Sequence, residues 1–332
     1  MPRAFIIGVS TAMLLMQEAF ILAEPAPLRV GGKPPAKVLN IAHRGARGFA
    51  PENTLEAFAK STRFGCHMFE LDVHDSKDGH IIVIHDDELI RCSNVRNVFT
   101  DRKSYFVSDF TAAEIRKLDA GSWFIEQIKK PARQRQSFLR SLTKSEIKKY
   151  ITDKEWKHYS SGKVYHPTLR ESLNLAKKNN LLVNVEIKSL PRMYKGIAQK
   201  IVRLIQELKM EHDVIVSSFD HEQLAKVRKL SKVIPIAALL ADRLHDPGRY
   251  IRLMLDGDAF HPGCIPGADI LGFHSVDGKL SEAGIRSALT HKIGVNVWTV
   301  NDPEQMRALI RAGVTGVFTD YPNRLEEVLR KR

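Results

Sequence analysis

Short apolar runs alternate with amphipathic stretches along this 332-residue chain. Runs of apolar and β-branched residues bounded by polar ones indicate buried strands, whereas apolar residues that recur about every three or four positions indicate helices. The predicted strands are Val38–His43, Met68–Val73, Leu181–Ile187, Val214–Ser218, Ile234–Leu240, Ile270–His274, Val295–Val300 and Gly316–Thr319. The predicted helices are Thr54–Phe64, Leu169–Asn179, Tyr194–Leu208, His221–Leu230, Ser281–His291 and Pro303–Ala312.

This alternation is typical of parallel strands that are joined by crossover helices. Eight strands with intervening helices predict an α/β fold, a TIM-type (β/α)8 barrel, for which about 250 residues suffice. An open doubly wound sheet is the alternative. No Gly-x-Gly-x-x-Gly sequence follows a predicted strand, which argues against a dinucleotide-binding fold.

One apolar run does not fit the parallel pattern. His80–His85 follows the second strand after a short link that contains Asp78-Gly79, a dipeptide typical of hairpin turns. We therefore expect this run to return antiparallel to the second strand, since a parallel partner needs a long crossover. A turn at residues 78 and 79 would place His85 opposite Asp72, and position 87 opposite Glu70.

An insertion after the second strand is predicted from Asp86 to about His166, where the strand–helix rhythm stops. Loops that follow barrel strands lie on the face that carries active sites, so the insertion should flank the site. Of the net charge of +13, the basic segment 126–165 contributes eleven Lys and Arg against four Asp and Glu. Without a nucleic-acid motif, this segment fits a solvated surface or peripheral contact with an anionic membrane better than nucleic acid, which we do not expect as a partner.

The first residues resemble a signal peptide. Arg3 precedes the apolar run Ala4–Met16, and Ala19–Ala23 leads into a Pro-rich stretch. We predict a signal peptide over residues 1–23, a linker over 24–37, a barrel over 38–328, and a periplasmic or secreted location. Gln17-Glu18 interrupts the apolar run, so a membrane anchor or a cytoplasmic extension is the alternative.

Three carboxylates predict a cation site. Glu70 and Asp72 are two residues apart on a strand and point to the same side, and Glu186 repeats the pattern on the third strand. Buried anions side by side are unfavourable unless a cation neutralises them. Carboxylate oxygens suit one divalent cation, Mg²⁺ or Ca²⁺, and no Cys/His set of the kind zinc prefers is present. The alternative for Glu186 is an ion pair with Lys188.

Two histidines stand close to these carboxylates in the sequence. His43 ends the first strand and His85 ends the hairpin. Either could be structural, but as a pair they suit a general acid and a general base, because imidazole titrates near neutral pH. The planar donor fork of Arg44 suits a phosphodiester oxygen. Phe219 and Trp298 follow later strands and belong either to a substrate pocket or to the core.

In order along the chain, the motifs resemble those of the glycerophosphodiester phosphodiesterase family, a phospholipase C-like phosphodiesterase barrel. The likeness covers the whole predicted barrel, from residue 38 to about 325. The matching segments are His43-Arg-Gly-Ala, Pro51-Glu-Asn-Thr, Glu70-Leu-Asp72-Val, Lys77-Asp-Gly, Val83-Ile-His85-Asp86, Glu186-Ile-Lys188, Ser217-Ser-Phe219-Asp220, Trp298-Thr-Val-Asn301 and Gly316-Val-Phe-Thr-Asp320.

The resemblance implies a hydrolase that converts glycerophosphodiesters to glycerol 3-phosphate and an alcohol. It implies a nucleophile that is the substrate's own 2-hydroxyl, so that a cyclic phosphate forms and water opens it. The site residues that it implies are a cation held by Glu70, Asp72 and Glu186, the acid/base pair His43 and His85, phosphate contacts from Arg44 and Lys188, and glycerol-pocket walls Phe219 and Trp298.

Two departures from the family pattern leave alternatives open. His74 stands where the family usually has another polar residue, which predicts a further histidine at the rim. The basic segment is long for the family, so a lysophospholipase D or phospholipase-type hydrolase at a membrane surface is an alternative. A catalytically silent glycerophosphodiester-binding protein is another. The sequence leaves the cation, the head group and the oligomeric state open.

Overall fold

The computed structural model describes residues 38–241, 244, 246–263 and 282–331. The predicted signal peptide, the linker and the predicted strand Ile270–His274 lie outside the described residues. The strands are β1 (Leu39–Ala42), β2 (Met68–Asp75), β3 (Ile81–Val83), β4 (Leu182–Ile187), β5 (Val214–Ser218), β6 (Ile236–Leu240), β7 (Ala259–Pro262), β8 (Gly294–Val297) and β9 (Gly316–Thr319).

All six predicted helices are present, together with further helices, most of them in the insertion. The helices are α1 (Leu55–Ser61), α2 (Val95–Val98), α3 (Ala112–Ile115), α4 (Ser122–Lys129), α5 (Lys144–Tyr150), α6 (Asp153–Tyr159), α7 (Leu169–Asn179), α8 (Ile197–Glu207), α9 (His221–Leu230), α10 (Pro247–Arg249, continued by a π-helical turn at Tyr250–Met254), α11 (Glu282–Thr290), α12 (Pro303–Ala312) and α13 (Pro322–Arg330). Within the described part of the chain, no helix has the length and apolarity to cross a membrane.

Eight parallel strands close into a barrel, which confirms the predicted fold. β1 pairs with β2 on one side and with β9 on the other, and the remaining barrel strands pair with their neighbours between them. Met68 of β2 and Leu182 of β4 belong to an apolar cluster that also draws on β1, β5, β6, β7 and β9. Since side chains two residues apart share a face, Glu70 and Asp72 follow Met68 on the inner side of β2. The barrel interior is therefore apolar at one end and carboxylate-rich at the other.

The barrel position between β6 and β8 was assigned to the wrong segment. β7 (Ala259–Pro262) pairs with both neighbours and occupies the place that the sequence analysis gave to Ile270–His274. The β7 sequence Ala-Phe-His-Pro contains a polar residue and a proline, and Gly257-Asp258 precedes it. These residues weaken a strand pattern, so tertiary pairing rather than local preference decides this strand.

The hairpin forms as predicted, but its pairing differs by one residue. The loop has three residues, Lys77-Asp78-Gly79, and the backbone N–H of Ser76 donates to the oxygen of His80 over 2.9 Å. Gly79 has a φ of +82°, the left-handed conformation that such a loop needs at its last position. Val83 therefore pairs with Val73, and His85 lies beyond the paired residues instead of opposite Asp72.

The inserted residues between β3 and α7 fold against the barrel. One part forms a separate apolar cluster that includes Ile82, Phe110 and Leu118. The basic segment is anchored by ion pairs: Lys60 of α1 reaches Glu155 over 2.6 Å, and Arg324 reaches Glu146 over 2.9 Å. The insertion therefore lies beside the barrel face where β1, β2 and β9 end.

Candidate active site

Glu70, Asp72 and Glu186 come together at the carboxyl ends of β2 and β4. The two strands pair in parallel, with Asp72 directly beside Glu186 and Glu70 beside Asn184. One carboxylate oxygen from each acidic residue lies within 4.8 Å of the others, and all three side chains are buried. The structure thus brings together the three acidic residues that were predicted as cation ligands.

Two buried oxygen atoms at this cluster have no hydrogen-bond partner among the described atoms: Glu70 Oε1 and Asn184 Oδ1. Each unpaired buried polar atom lowers the stability of the fold by about 1–3 kcal/mol. Burial and the charges of Asp72 and Glu186 raise the pKa of Glu70 well above its ordinary value. Burial would also raise the pKa of Asp72, but the charges of His85, Lys188 and Arg44 outweigh it and hold that pKa low. A divalent cation fits this surplus of oxygen atoms.

Lys188 partly compensates the acidic residues. Its Nζ lies 2.7 Å from Glu186 Oε1 and 3.5 Å from Asp72 Oδ1. Burial lowers the pKa of Lys188, but Glu186 and Asp72 outweigh it and raise that pKa to about 12. The ion pair that was the alternative for Glu186 is therefore present within the acidic cluster, whereas no described Lys or Arg forms an ion pair with Glu70.

His43 is oriented by a carboxylate. Its Nδ1 lies 2.8 Å from Asp320 Oδ1, and its Nε2 lies 4.0 Å from Glu70 Oε2. An ionised carboxylate only accepts, so Nδ1 carries the hydrogen and Nε2 keeps its lone pair. Burial, helped by the charge of Arg47, lowers the pKa of His43 to about 4. His43 is therefore neutral at pH 7, with a basic nitrogen beside the acidic cluster.

His85 is also oriented by a carboxylate, on the other side of the cluster. Its Nδ1 lies 2.7 Å from Asp86 Oδ1, and its Nε2 lies 3.3 Å from Lys188 Nζ. The backbone oxygen of His85 is 3.0 Å from Nε2 of His74, whose Nδ1 lies 2.8 Å from the Tyr194 hydroxyl. His74 is buried, so the prediction of a histidine at the rim was wrong: His74 supports the segment that carries His85.

The loop between β1 and α1 holds Arg44 in place. Arg44 and Asn53 both have left-handed backbones, with φ values of 53° and 55°, and the Asn53 backbone N–H donates to the Arg44 oxygen. The Arg44 backbone N–H donates to Glu70 Oε2 over 2.7 Å, and Asn53 Nδ2 donates to Asp72 Oδ2 over 2.9 Å. A Cβ on Gly45 would meet Ala57 at 2.7 Å, so only glycine lets the loop pack against α1.

These groups line one cavity of about 200 Å³. Its polar wall contains both histidines, Arg44, Glu70, Glu186 and Lys188, and its apolar wall contains Leu239 and Phe318. Phe219 and Trp298 also line it, with their rings edge to face at 5.5 Å. All nine residues predicted for the site therefore lie in or beside a single cavity: His43, Arg44, Glu70, Asp72, His85, Glu186, Lys188, Phe219 and Trp298.

The sequence analysis assigned no role to a second set of charged residues around the cavity. They are Arg47, Glu52, Asp86, Arg91 and Asp320. Asp320 stands at the end of β9 as the acidic groups stand at the ends of β2 and β4, and this position was an available signal. Glu52 and Arg91 lie in loops without periodicity, 39 residues apart, and nothing local indicates their contact.

Comparison with known proteins agrees with this geometry. Residues 43–324 match the glycerophosphoryl diester phosphodiesterase family model. A glycerophosphodiester phosphodiesterase of Caldanaerobacter subterraneus subsp. tengcongensis is 33% identical over 297 residues, which are 89% of this chain and 99% of the relative.

Solved structures with lower identity share the fold. An Oleispira antarctica phosphodiesterase, solved with the product sn-glycerol-3-phosphate, has a TM-score of 0.64 and 22% identity, over 87% of this chain and 96% of its own. A glycerophosphodiester phosphodiesterase from Agrobacterium tumefaciens has a TM-score of 0.59 and 21% identity, over 86% and 98%. The chain therefore belongs to the glycerophosphoryl diester phosphodiesterase family, and the enzyme class expected from its motifs is confirmed.

Proposed function

We propose that this chain hydrolyses glycerophosphodiesters to glycerol 3-phosphate and an alcohol, with one divalent cation and two histidines. One observation carries the proposal: two histidines, each oriented by a carboxylate at Nδ1, lie at different sides of one buried three-carboxylate cluster. This arrangement supports a proton acceptor and a proton donor on two sides of a phosphate held by a bound cation.

Glu70, Asp72 and Glu186 would hold the cation. Bound there, it would stabilise negative charge on the phosphate oxygens as a Lewis acid. Arg44 and Lys188 line the same cavity and supply two fixed cationic groups for those oxygens. Mg²⁺ and Ca²⁺ both accept carboxylate oxygens.

The histidines would move the protons. The 2-hydroxyl oxygen of the glycerol attacks phosphorus while its proton goes to Nε2 of His43, which is neutral because its pKa is about 4. The bond to the head-group oxygen breaks, and Nε2–H of His85 protonates the leaving alcohol. Water then opens the cyclic phosphate with the two roles exchanged, which returns both side chains to their starting protonation states.

Release of glycerol 3-phosphate from glycerophosphocholine tests this proposal. The purified chain is assayed with EDTA, and then with Mg²⁺ or Ca²⁺ in excess. We expect release with at least one cation and none with EDTA. Full activity in EDTA would remove the cation from the mechanism. Calorimetric binding of the substrate without turnover under any condition would instead support the silent binding protein.

A lysolipid substrate is the second candidate, and apolar residues near the cavity favour it. Leu190 and Met193 are 58% and 65% exposed in the loop after β4, and Phe219 after β5 is 40% exposed. Ser189 Oγ donates to Asp220 Oδ2 over 2.9 Å, so the two loops touch. An acyl chain that leaves the cavity would find apolar surface there.

Comparison of glycerophosphocholine with lysophosphatidylcholine separates the two substrates. If the apolar residues bind the acyl chain, Leu190→Ser with Met193→Ser should raise the KM for the lysolipid and leave the KM for glycerophosphocholine unchanged. Met254→Ser is the matched control, because Met254 is 74% exposed just before β7, away from the strand ends that carry the site. Equal effects on both substrates would contradict the lysolipid assignment.

We also propose export and peripheral membrane contact. The apolar N-terminal residues support export, and the exposed lysines of α5 and α6 support contact with anionic lipid, at about 1 kcal/mol for each lysine near the surface. N-terminal sequencing of the protein from cell fractions would test export. Sedimentation with anionic and neutral vesicles would test contact, and binding that is equal for both vesicles would exclude an electrostatic contribution from Lys148 and Lys149.

A further inference from the structure

Glu52 is a buried carboxylate that three arginines surround. It lies in the loop between β1 and α1 and is 2% exposed. Its Oε1 accepts from Arg44 Nη1 over 2.8 Å and from Arg91 Nη2 over 2.7 Å, and its Oε2 lies 3.6 Å from Arg47 Nη1. Burial would raise the pKa of Glu52, but Arg44, Arg91 and Arg47 outweigh it and hold that pKa well below its ordinary value.

Arg47 connects Glu52 to Asp320, the carboxylate that orients His43. Its Nε donates to Asp320 Oδ1, the same oxygen that lies 2.8 Å from Nδ1 of His43. The guanidinium also lies over the ring of Phe138, 4.2 Å from the ring centre, which fixes it from the side of the insertion. The position of the His43 ring therefore depends on a chain of contacts that begins at Glu52.

Arg91 connects Glu52 to Asp86, the carboxylate that orients His85. Its Nε and Nη2 donate to Asp86 over 2.7 and 2.9 Å, in the paired geometry that guanidinium and carboxylate groups adopt. Asp86 in turn accepts from Nδ1 of His85. One buried side chain thus joins two histidine–aspartate–arginine series that come from distant parts of the chain.

We propose that Glu52 is a positioning residue that holds both histidines and Arg44 as one unit. The proposal rests on the proposed function, because it gives the two histidines their roles. Glu52 is not among the residues that line the cavity, whereas Arg44 and Arg47 are, so it acts through the arginines rather than on the substrate. Removal of its charge would leave three guanidinium groups close together without their shared anion, and these would separate.

If the contacts of Glu52 only stabilised the fold, its replacement would have a different effect on the kinetics. Glu155 serves as the control, because it is likewise a carboxylate shared by several cations, Lys60 at 2.6 Å and Arg63 at 3.0 Å, although it is only partly buried. Among the described residues, Glu155 contacts neither His43, His85, Asp86 nor Asp320. Glu155→Gln should therefore lower the melting temperature with little change in kcat. If Glu52 has only that kind of role, Glu52→Gln should behave in the same way.

Kinetics of Glu52→Gln and Glu155→Gln, measured on the full chain with saturating cation, test the proposal. We expect kcat of Glu52→Gln to fall by about 10- to 100-fold, as for residues that orient catalytic groups, while KM and the calorimetric affinity for Mg²⁺ or Ca²⁺ change less than threefold. Glu52→Asp, which keeps the charge, should recover part of kcat. A kcat of Glu52→Gln equal to that of Glu155→Gln would overturn the proposal.

A measurement without substrate separates this proposal from the proposed function. In the proton NMR spectrum of the cation-free protein, Nδ1–H signals of His43 and His85 hydrogen-bonded to carboxylates should lie far downfield, and single histidine variants assign them. Glu52→Gln should shift or broaden both signals, and Arg47→Lys and Arg91→Lys should each affect one. Unchanged signals would overturn the proposal, even if the enzyme acts on another phosphodiester. If Glu52→Gln does not fold, the two arginine variants and Glu52→Asp decide the same question.

Discussion

Nδ1 of His85 lies 2.7 Å from a carboxylate oxygen of Asp86, the next residue in the chain. His43 and its carboxylate Asp320, by contrast, are 277 residues apart in the chain. In the His85 pair a single short segment supplies both groups, and Arg91 holds it in place. Its geometry therefore depends on the conformation of one loop.

Replacement of Asp86 by Asn should reduce kcat by about 10- to 100-fold, since the amide no longer fixes the tautomer and orientation of the imidazole. Steady-state kinetics with glycerophosphocholine measure this effect, and circular dichroism checks the fold. Asp87→Asn is the control, because the Asp87 side chain forms no hydrogen bond with either histidine among the described residues. Equal losses in the two variants would show that local charge, not orientation, matters.

Either His43→Ala or His85→Ala should lower kcat by about 10²- to 10⁴-fold with the fold intact, because each removes one proton-transfer group. His212→Ala, an exposed histidine before β5, should keep full activity. Single-turnover measurements check that the chemical step is affected. Normal turnover in either of the first two variants would exclude the two-histidine mechanism.

Glu70→Gln should have opposite effects on the cation-free and cation-bound proteins. Without a cation it should raise the melting temperature, because it removes a buried carboxylate whose pKa is driven up by burial and by Asp72 and Glu186. Added cation should stabilise the wild type by about 2.7 kcal/mol at 100 times its Kd, and the variant far less. Thermal unfolding in EDTA and in excess Ca²⁺ or Mg²⁺ measures both. A variant less stable than wild type in EDTA would show that Glu70 is not repelled by its neighbours.

Acid should destabilise the cation-free protein between pH 6.5 and about 3. Burial lowers the pKa of His74 to about 4 and that of His261 to about 3. A group whose folded pKa is lowered is protonated first in the unfolded chain, so its stabilising contribution is complete above pH 6.5 and is lost as the pH falls through the folded value. Urea unfolding in EDTA at several pH values measures the slope. His261→Asn should reduce the slope, and His212→Ala should not.

Much of the fold follows from periodicity, and the exceptions have physical causes. The helices α7, α9 and α12 begin and end where the sequence predicts, since capping residues and apolar spacing agree there. β7 was missed because its few apolar residues give no strand signal. The hairpin register was missed because Asp78-Gly79 fits both a two-residue and a three-residue loop, and only packing against β2 selects between them.

The candidate site also combines residues that the sequence predicts with residues that it does not. Glu70, Asp72 and Glu186 could be predicted because strand geometry alone places them on one face. The contact of Glu52 with Arg91 could not, because it joins two irregular loops whose meeting depends on the whole barrel and its insertion. Local sequence therefore indicates the candidate groups for chemistry, and the closed fold determines which residues hold them in position.

Side chains along β2 alternate between the barrel interior and the main apolar core. Its even-numbered residues, Met68, Glu70 and Asp72, supply the barrel interior and the carboxylates, and its odd-numbered residues, from Phe69 to Val73, belong to the main apolar core. Loss or gain of one residue within the strand would exchange the two sets and turn anions into the core. The three-carboxylate cluster therefore depends on the exact length of β2 as well as on its residue types.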